Sequence, residues 1–344
     1  MTMRMLVGLI RSTSGSGTVF GHSLDHPAIT CTVSAPGWPA SGNVRRRMTR
    51  ILDFNGRDAD RTVTVTSIAA LKGSGRRYVQ VTAGTEEEAA AAEAAGIDMV
   101  VCLSQAVPDV RRGSSRLFVT AAIDFGGEIT LDDLLATAFR SLSAGADAVI
   151  TARRFDAVRL LAAEGVPVIG HLGFVPKRSN QLGGVRTVGR DAAEATALWR
   201  QFQELEGAGA FAVECELIPA PVLAQITPRT SMSTISLGSG RDADVMFLFQ
   251  SDVVGESLRV PRHARSYGDV AALKRRIVDE RVRALTAFRA DVLGGQFPSE
   301  GEVGRIDPAE LASSSTPSTL AEGAKVMHPE SAKGELPPAT WSPS

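Results

Sequence analysis

Cysteine is scarce: there are three in 344 residues, Cys31, Cys102 and Cys215, an odd number without metal-ligand spacing. Two of them fall in apolar runs that read as buried strands, which argues against a disulfide framework and fits a reducing compartment. Excess charge is lacking as well, since 37 Lys+Arg stand against 38 Asp+Glu for a formal net charge of -1. No overall field would hold a polyanion or an anionic membrane, so neither nucleic acid nor a membrane is an expected partner. No apolar run approaches the roughly 20 residues that span a bilayer. The start, MTMRMLVGLIRSTSGSG, has too short an apolar stretch for a secretory signal, and the expected location is cytoplasmic. A GxGxxG after the first strand candidate is missing too: TAGTEEE offers no phosphate cradle, which weighs against a dinucleotide-binding open sheet.

What is present is a large apolar complement, 44% of residues, enough to bury a sizeable core. Residues 1–61 mix Gly, Ser, Pro and charge without a sustained period and read as an irregular arm that wraps a partner or hangs free. Residues 306–344 are rich in Ser, Pro, Thr and Glu, too poor in apolar groups to offset their ordering entropy, and read as a disordered tail.

Between them, over 62–305, short β-branched runs alternate with longer stretches of Ala, Leu, Glu and Arg at helical spacing. The strand candidates are 78–82, 99–103, 117–122, 148–151, 166–171, 210–216, 234–237 and 245–249, and the helix candidates include 86–95, 131–144, 157–164, 192–206 and 221–226. A long helix over Val270–Leu293 is expected to pack outside the last strand. Three strands are introduced by near-identical phrases, AAGIDMVV, SAGADAVI and GAGAFAVE, in which a helix ends at a glycine able to take the left-handed cap and turns straight into a buried strand. About eight such βα units predict an α/β fold, a (β/α)₈ TIM barrel, whose active site lies at the carboxyl ends of the strands. A doubly wound open sheet shares the same local signals.

Reading those ends in order gives the candidates for chemistry. His171 closes VPVIGH just as the chain turns at Gly173, and a lone histidine there is either a packing residue or a catalyst. Glu216 closes AFAVECE, where alternation puts Glu214 and Glu216 on one face; a carboxylate at a buried strand end needs a partner or a task. Ser239 lies in the LGSG turn, where many barrels bind an anion through backbone N–H groups, or where tight-turn geometry alone asks for glycine. Arg186 belongs to GGVRTVGR, a glycine loop suited either to covering an anionic substrate or to solvation.

Several of these segments together resemble ketopantoate hydroxymethyltransferase, a family of the phosphoenolpyruvate mutase and isocitrate lyase superfamily. GHLGFVPKRSNQLGGVRTVGR is similar to the family run GH-(I/L)-G-L-T-P-Q-S and its glycine loop ending V-Q-G-R. AGAFAVECELIPAPVLAQIT resembles the segment whose glutamate, three residues before a proline, is the base; that lands on Glu216 before Pro219. STISLGSGRDADVMFLFQSDVVG resembles I-G-I-G-A-G and the H-D-x-x-G after it, with Ser251 in place of the histidine and Asp252 kept. RSYGDVAALKRRIVDERVRALTAFRADVLGGQFPSEGE resembles the terminal helix and F-P motif, so the likeness runs from about Ser67 to Glu302.

The resemblance implies a barrel, a homo-oligomer, and a Mg²⁺-bound 2-oxo acid whose enolate attacks the one-carbon unit of methylenetetrahydrofolate. Together with the reading of the strand ends, it gives Glu216 and His171 as catalytic residues, with Ser104, Asp124, Arg153, Arg186, Ser239 and Asp252 as substrate-binding candidates. The chain departs from the pattern where the cation would sit. The family's V-G-D-S is Val101-Cys102-Leu103-Ser104; A-D-(L/M)-P-F is Ala121-Ala122-Ile123-Asp124-Phe125; K-x-E maps to Ile150 and Ala152, with Arg153 next. Hence no Mg²⁺ site of the family kind is expected, unless Asp124 slides into the vacant place, and a guanidinium from Arg153 or Arg186 is the expected replacement. A small-molecule substrate is expected. The rivals are a metal-independent lyase, isomerase or cyclase acting on a larger substrate, and a non-catalytic binding protein that uses its arm.

Overall fold

A computed structural model describes residues 50–123, 127 and 129–313, together with two short strands near the start of the chain. The chain divides into two compact units, Met1–Arg50 and Ile51–Ser344. In the first, Thr18–Val19 pairs antiparallel with His22–Ser23. The remaining expectations for the arm, those for residues 314–344, and the candidate Asp124 all lie outside the described residues.

The second unit is the expected closed barrel of eight parallel strands: β1 (Tyr78–Thr82), β2 (Met99–Leu103), β3 (Phe118–Ala122), β4 (Ala148–Thr151), β5 (Val168–Gly173), β6 (Ala212–Glu216), β7 (Ser233–Leu237) and β8 (Val245–Leu248), with β8 pairing β1 to close the ring. The open-sheet alternative is thereby set aside. Between the strands run α2 (Glu86–Ala94), α3 (Val107–Gly113), α4 (Leu131–Ser143), α5 (Phe155–Ala163), α6 (Ala192–Gly207) and α7 (Ala220–Ile226). The repeated phrases work as read: Gly96, Gly145 and Gly209 have φ of 76°, 112° and 97°, the left-handed conformation that lets each helix stop and the next strand begin.

Alternation along the strands sorts the core into two layers. Val100, Val119, Val149 and Val213 face outward against the helices, while Met99, Phe118, Ile169, Ala212 and Ile235 fill the barrel. Its amino end is plugged by α1 (Val65–Ala69), which is opened by a reciprocal Thr64/Ser67 capping box and buries Ile68 completely. The compact unit starts upstream of the expected boundary at 62, and Arg61 pairs with Asp147 at 2.8 Å.

Three differences from the sequence expectation stand out. Helix α3 was not foreseen, because its seven residues carry a proline in the first turn and little periodicity. A short helix, α10 (Pro308–Ser313), falls inside the stretch read as a tail; α8 (Gln250–Val253) precedes it, just after β8. The long helix α9 (Val270–Leu293) forms as expected but does not pack on the barrel: none of its residues is buried, and Leu273, Ile277, Val282, Leu285 and Phe288 are each more than half exposed. An amphipathic period announces that a stripe needs a partner without naming which surface supplies it.

Candidate functional site

The carboxyl mouth of the barrel holds a cavity of about 390 Å³, within the size range of small-molecule sites. Its polar side comes from two neighbouring strands. Register sets His171 on β5 opposite Glu214 on β6, and Gly173 opposite Glu216. Because alternate residues of β6 point inward, both carboxylates enter the same space beside the imidazole. His171 Nε2 stands 3.1 Å from Glu216 Oε2 and 3.0 Å from the Phe174 carbonyl oxygen. Both neighbours are acceptors, so Nε2 carries a proton and donates it, which fixes the orientation of the ring. His171 Nδ1 lies 3.9 Å from Glu214 Oε1, beyond hydrogen-bond range.

Burial pulls the His171 imidazolium down, but the hydrogen bond to Glu216, the charge of Glu216 and, when it is ionised, that of Glu214 outweigh it and hold the group above its usual value. Burial pushes the Glu214 carboxyl up, an effect that His171 opposes and Glu216 reinforces. Cys102 also reaches the cavity, where burial lifts its thiol to about 12, so thiolate chemistry is out of reach at neutral pH.

The end of β6 is held by several backbone devices. Gly173 has φ of 89°, and a Cβ there would lie 2.2 Å from the Glu216 carbonyl oxygen, so only glycine lets the two strand ends approach. The Phe174 N–H donates to that same oxygen at 2.8 Å. Leu217, directly after Glu216, takes φ of 49°, a strained conformation for a side-chain-bearing residue. Ser239 Oγ accepts from the Ile218 N–H at 2.8 Å and donates to the Cys215 carbonyl oxygen at 2.7 Å, which ties the turn after β7 to the strand that bears Glu216.

Against the sequence candidates, the structure brings His171 and Glu216 together in the cavity, and the other described candidates elsewhere. Ser239 is buried with its hydroxyl committed to the latch just described. Arg186 pairs with Glu194 at the start of α6 rather than reaching over the mouth. Hydrogen bonds from Arg186 and from the N–H groups of Arg190 and Gly189 hold Glu194 down at about 2. Arg153 donates to the Ile129 carbonyl oxygen at 3.1 Å, and Ser104, on the turn after β2, donates to Gln105. Asp252 is buried in α8. None of these five lines the cavity.

Two cavity residues escaped the sequence reading. Glu214 lines it, and its signal was the alternation that puts it on the face of Glu216. Lys177 lines it too, and its signal was a lysine standing where the resembling run has glutamine. Apart from Thr82 and Cys102, the rest of the wall is apolar, and it includes Val101 and Leu103 of β2, Ile150 of β4, Ala152, Leu237, Phe247 and Phe249. Among the described residues, His171, Glu214 and Glu216 are also the group whose donor atoms converge, within 4.8 Å of one another. No described helix is long and apolar enough to cross a membrane.

The profile of the family described as Ketopantoate hydroxymethyltransferase matches residues 102–300. Among curated relatives, the 3-methyl-2-oxobutanoate hydroxymethyltransferase of Thermobifida fusca is 33% identical over 272 residues, 71% of this chain and 94% of that protein. The enzyme of the same name from Hyperthermus butylicus is 34% identical over 264 residues, 70% of this chain and 89% of that protein. Among solved structures, 2,3-dimethylmalate lyase, described as a PEP mutase/isocitrate lyase superfamily member, aligns with a TM-score of 0.40 at 15% identity, covering 76% of this chain and 94% of that one.

Proposed function

The chain belongs to the ketopantoate hydroxymethyltransferase family, and on that premise we propose that it adds a hydroxymethyl group to the carbon beside the carbonyl of a small 2-oxo acid, with Glu216 as the base. The observation that carries this reading is the Glu216 carboxylate, hydrogen-bonded to His171 at 3.1 Å on the wall of a closed-ended cavity at the carboxyl face of the barrel. The relatives are named for 3-methyl-2-oxobutanoate, and a cavity of about 390 Å³ accommodates an acid of that size.

In this scheme His171 holds one oxygen of Glu216 and leaves the other to take the proton from the substrate carbon next to the carbonyl. Lys177, which lines the cavity, is the cation placed nearest to a substrate carboxylate there; Arg153 and Arg186, expected in that role, do not line it. Methylenetetrahydrofolate, implied by the resemblance, supplies the one-carbon unit when bound.

The Mg²⁺ implied by the resemblance finds a poor set of donors. Leu103, Ala122, Ile150 and Ala152 stand where the family pattern has its charged groups, and they bring no oxygen. Mg²⁺ asks for near-octahedral oxygen ligation. Among the described residues, the convergent group is two carboxylates and an imidazole whose Nε2 is already donating to Glu216 and Phe174. These residues do not fit the ion, and no step is routed through it. The apolar wall also favours a second reading, a metal-independent lyase, isomerase or cyclase with a larger substrate, for which 2-oxo acid turnover would not depend on folate.

The test is exchange of the β-proton of 3-methyl-2-oxobutanoate in D₂O. Replacing Glu216 by Gln is expected to slow exchange by about 10³-fold, in the range for loss of a general base; equal rates end the base assignment. The exposed apolar stripe of α9 supports the further expectation that copies of the chain associate. A monomeric molar mass by light scattering at micromolar concentration is the result that removes it.

A further inference from the structure

Glu214 is the ionisable group of the cavity that the scheme above leaves without a task. It sits on β6 two residues before Glu216 and opposite His171 of β5. Its side chain is 7% exposed, and it lines the cavity. Among the described residues no hydrogen-bond donor reaches it; the imidazole Nδ1 at 3.9 Å is too distant to donate. From β7 its register partner is Ile235, which is apolar, and the other charged groups at the cavity are His171, Glu216 and Lys177. A carboxylate held in a mostly apolar cavity with no described donor in reach is costly, whereas a carboxylic acid loses little.

We propose that Glu214 stands in the resting protein as a neutral carboxylic acid whose O–H donates a hydrogen bond to the carbonyl oxygen of the bound 2-oxo acid and so stabilises the enolate that Glu216 creates. The inference rests on the 2-oxo acid reading given above. Its chemistry balances without a further reactant. The C–H bond beside the carbonyl breaks, and its proton goes to Glu216. The C–H electron pair becomes the C=C bond of the enolate, and the carbonyl π pair moves onto oxygen, where the Glu214 O–H meets it without breaking. In the exchange reaction the enolate carbon takes a deuteron from solvent by way of Glu216, that pair returns to restore the C=O, and Glu214 still holds its proton. Such a donor, fixed in an apolar cavity, supplies the oxyanion stabilisation that the apolar wall does not. Burial, which holds the Glu214 carboxyl above its usual range, is consistent with the neutral form.

Two variants separate this role from a structural one. Glu214→Gln keeps a neutral donor of the same length and is expected to retain β-proton exchange of 3-methyl-2-oxobutanoate within about tenfold. Glu214→Leu keeps the volume without a donor and is expected to lose about 10²–10³-fold, the usual effect of removing one oxyanion donor. The wild-type exchange rate is expected to fall on the alkaline side as Glu214 ionises, and that limb is expected to vanish in Glu214→Gln. Infrared difference spectra of the full chain at neutral pH should hold a carboxylic C=O band that is absent from Glu214→Gln and shifts to lower frequency when 3-methyl-2-oxobutanoate binds. Equal losses in the two variants, no loss in Glu214→Leu, an alkaline limb unchanged in Glu214→Gln, or exchange that requires Mg²⁺ and stops with EDTA would each overturn the proposal. If the wild type exchanges no proton, the 2-oxo acid reading falls. The infrared band then decides separately whether Glu214 is neutral.

Discussion

The mouth of this barrel has two unlike walls. On the β5–β6 side, His171, Glu214 and Glu216 crowd three titratable groups within reach of one another, and glycine, a strained leucine and a serine latch hold the strand ends in place. On the β2–β4 side the equivalent positions carry Leu103, Ala122, Ile150 and Ala152, and Leu103, Ile150 and Ala152 reach the cavity with nothing but carbon side chains. Both walls stand on the same kind of element, an inward-facing strand end fed by a glycine-capped helix. The difference teaches that the fold fixes where side chains point but not what they are, so chemistry concentrated on one side leaves the other free to become a packing surface.

Turning the apolar wall back into a polar one is the most forceful way to break this contrast. The double variant Leu103→Asp/Ala122→Asp places two carboxylates on it, one of them at a position only 9% exposed. Without a cation the protein is expected to lose about 3 kcal/mol or more of stability, because a buried carboxylate without a partner is costly. Millimolar Mg²⁺ is expected to restore much of that loss, read as a Tm that rises with Mg²⁺ in the variant but not in the wild type. A wild-type Tm that responds as strongly as that of the variant would mean that the polar wall already binds the ion.

The same two walls explain what could be read from the sequence. The barrel was legible because its signals are local and repeated: Gly96, Gly145 and Gly209 each end a helix and begin a strand, and all three take the left-handed conformation their phrases imply. His171 and Glu216 were legible because they close apolar runs. What the chain order does not carry is commitment to other partners. Arg186 and Ser239 have the right types at plausible places, yet one is held by Glu194 and the other by the backbone of residues 215 and 218. Lys177 and Glu214 were the converse case. Only the closure of the barrel brings them to the cavity, so their significance depends on neighbours distant in sequence. Helix α9 failed in a third way, since its period was right while its covering surface is not supplied by the described barrel.

A smaller effect sharpens the contrast in mechanical terms. If the polar wall is held tightly and the apolar one loosely, conservative changes of one methyl group should behave differently on the two sides. Ile150→Val removes a methylene from a residue 7% exposed and is expected to cost about 1 kcal/mol, with proton exchange nearly unchanged. Gly173→Ala adds a single carbon, but at φ of 89° and 2.2 Å from the carbonyl oxygen of Glu216, so the strand ends must separate to accept it. The expected cost is about 2–3 kcal/mol, combining left-handed strain with the clash. Because the atom displaced belongs to the residue that bears the base, exchange should slow together with the fall in stability. Urea midpoints measured alongside exchange rates check both halves. A Gly173→Ala protein that is destabilised yet exchanges at the wild-type rate would mean that Glu216 keeps its place without the close approach of β5, and that the rigidity ascribed to this wall resides elsewhere.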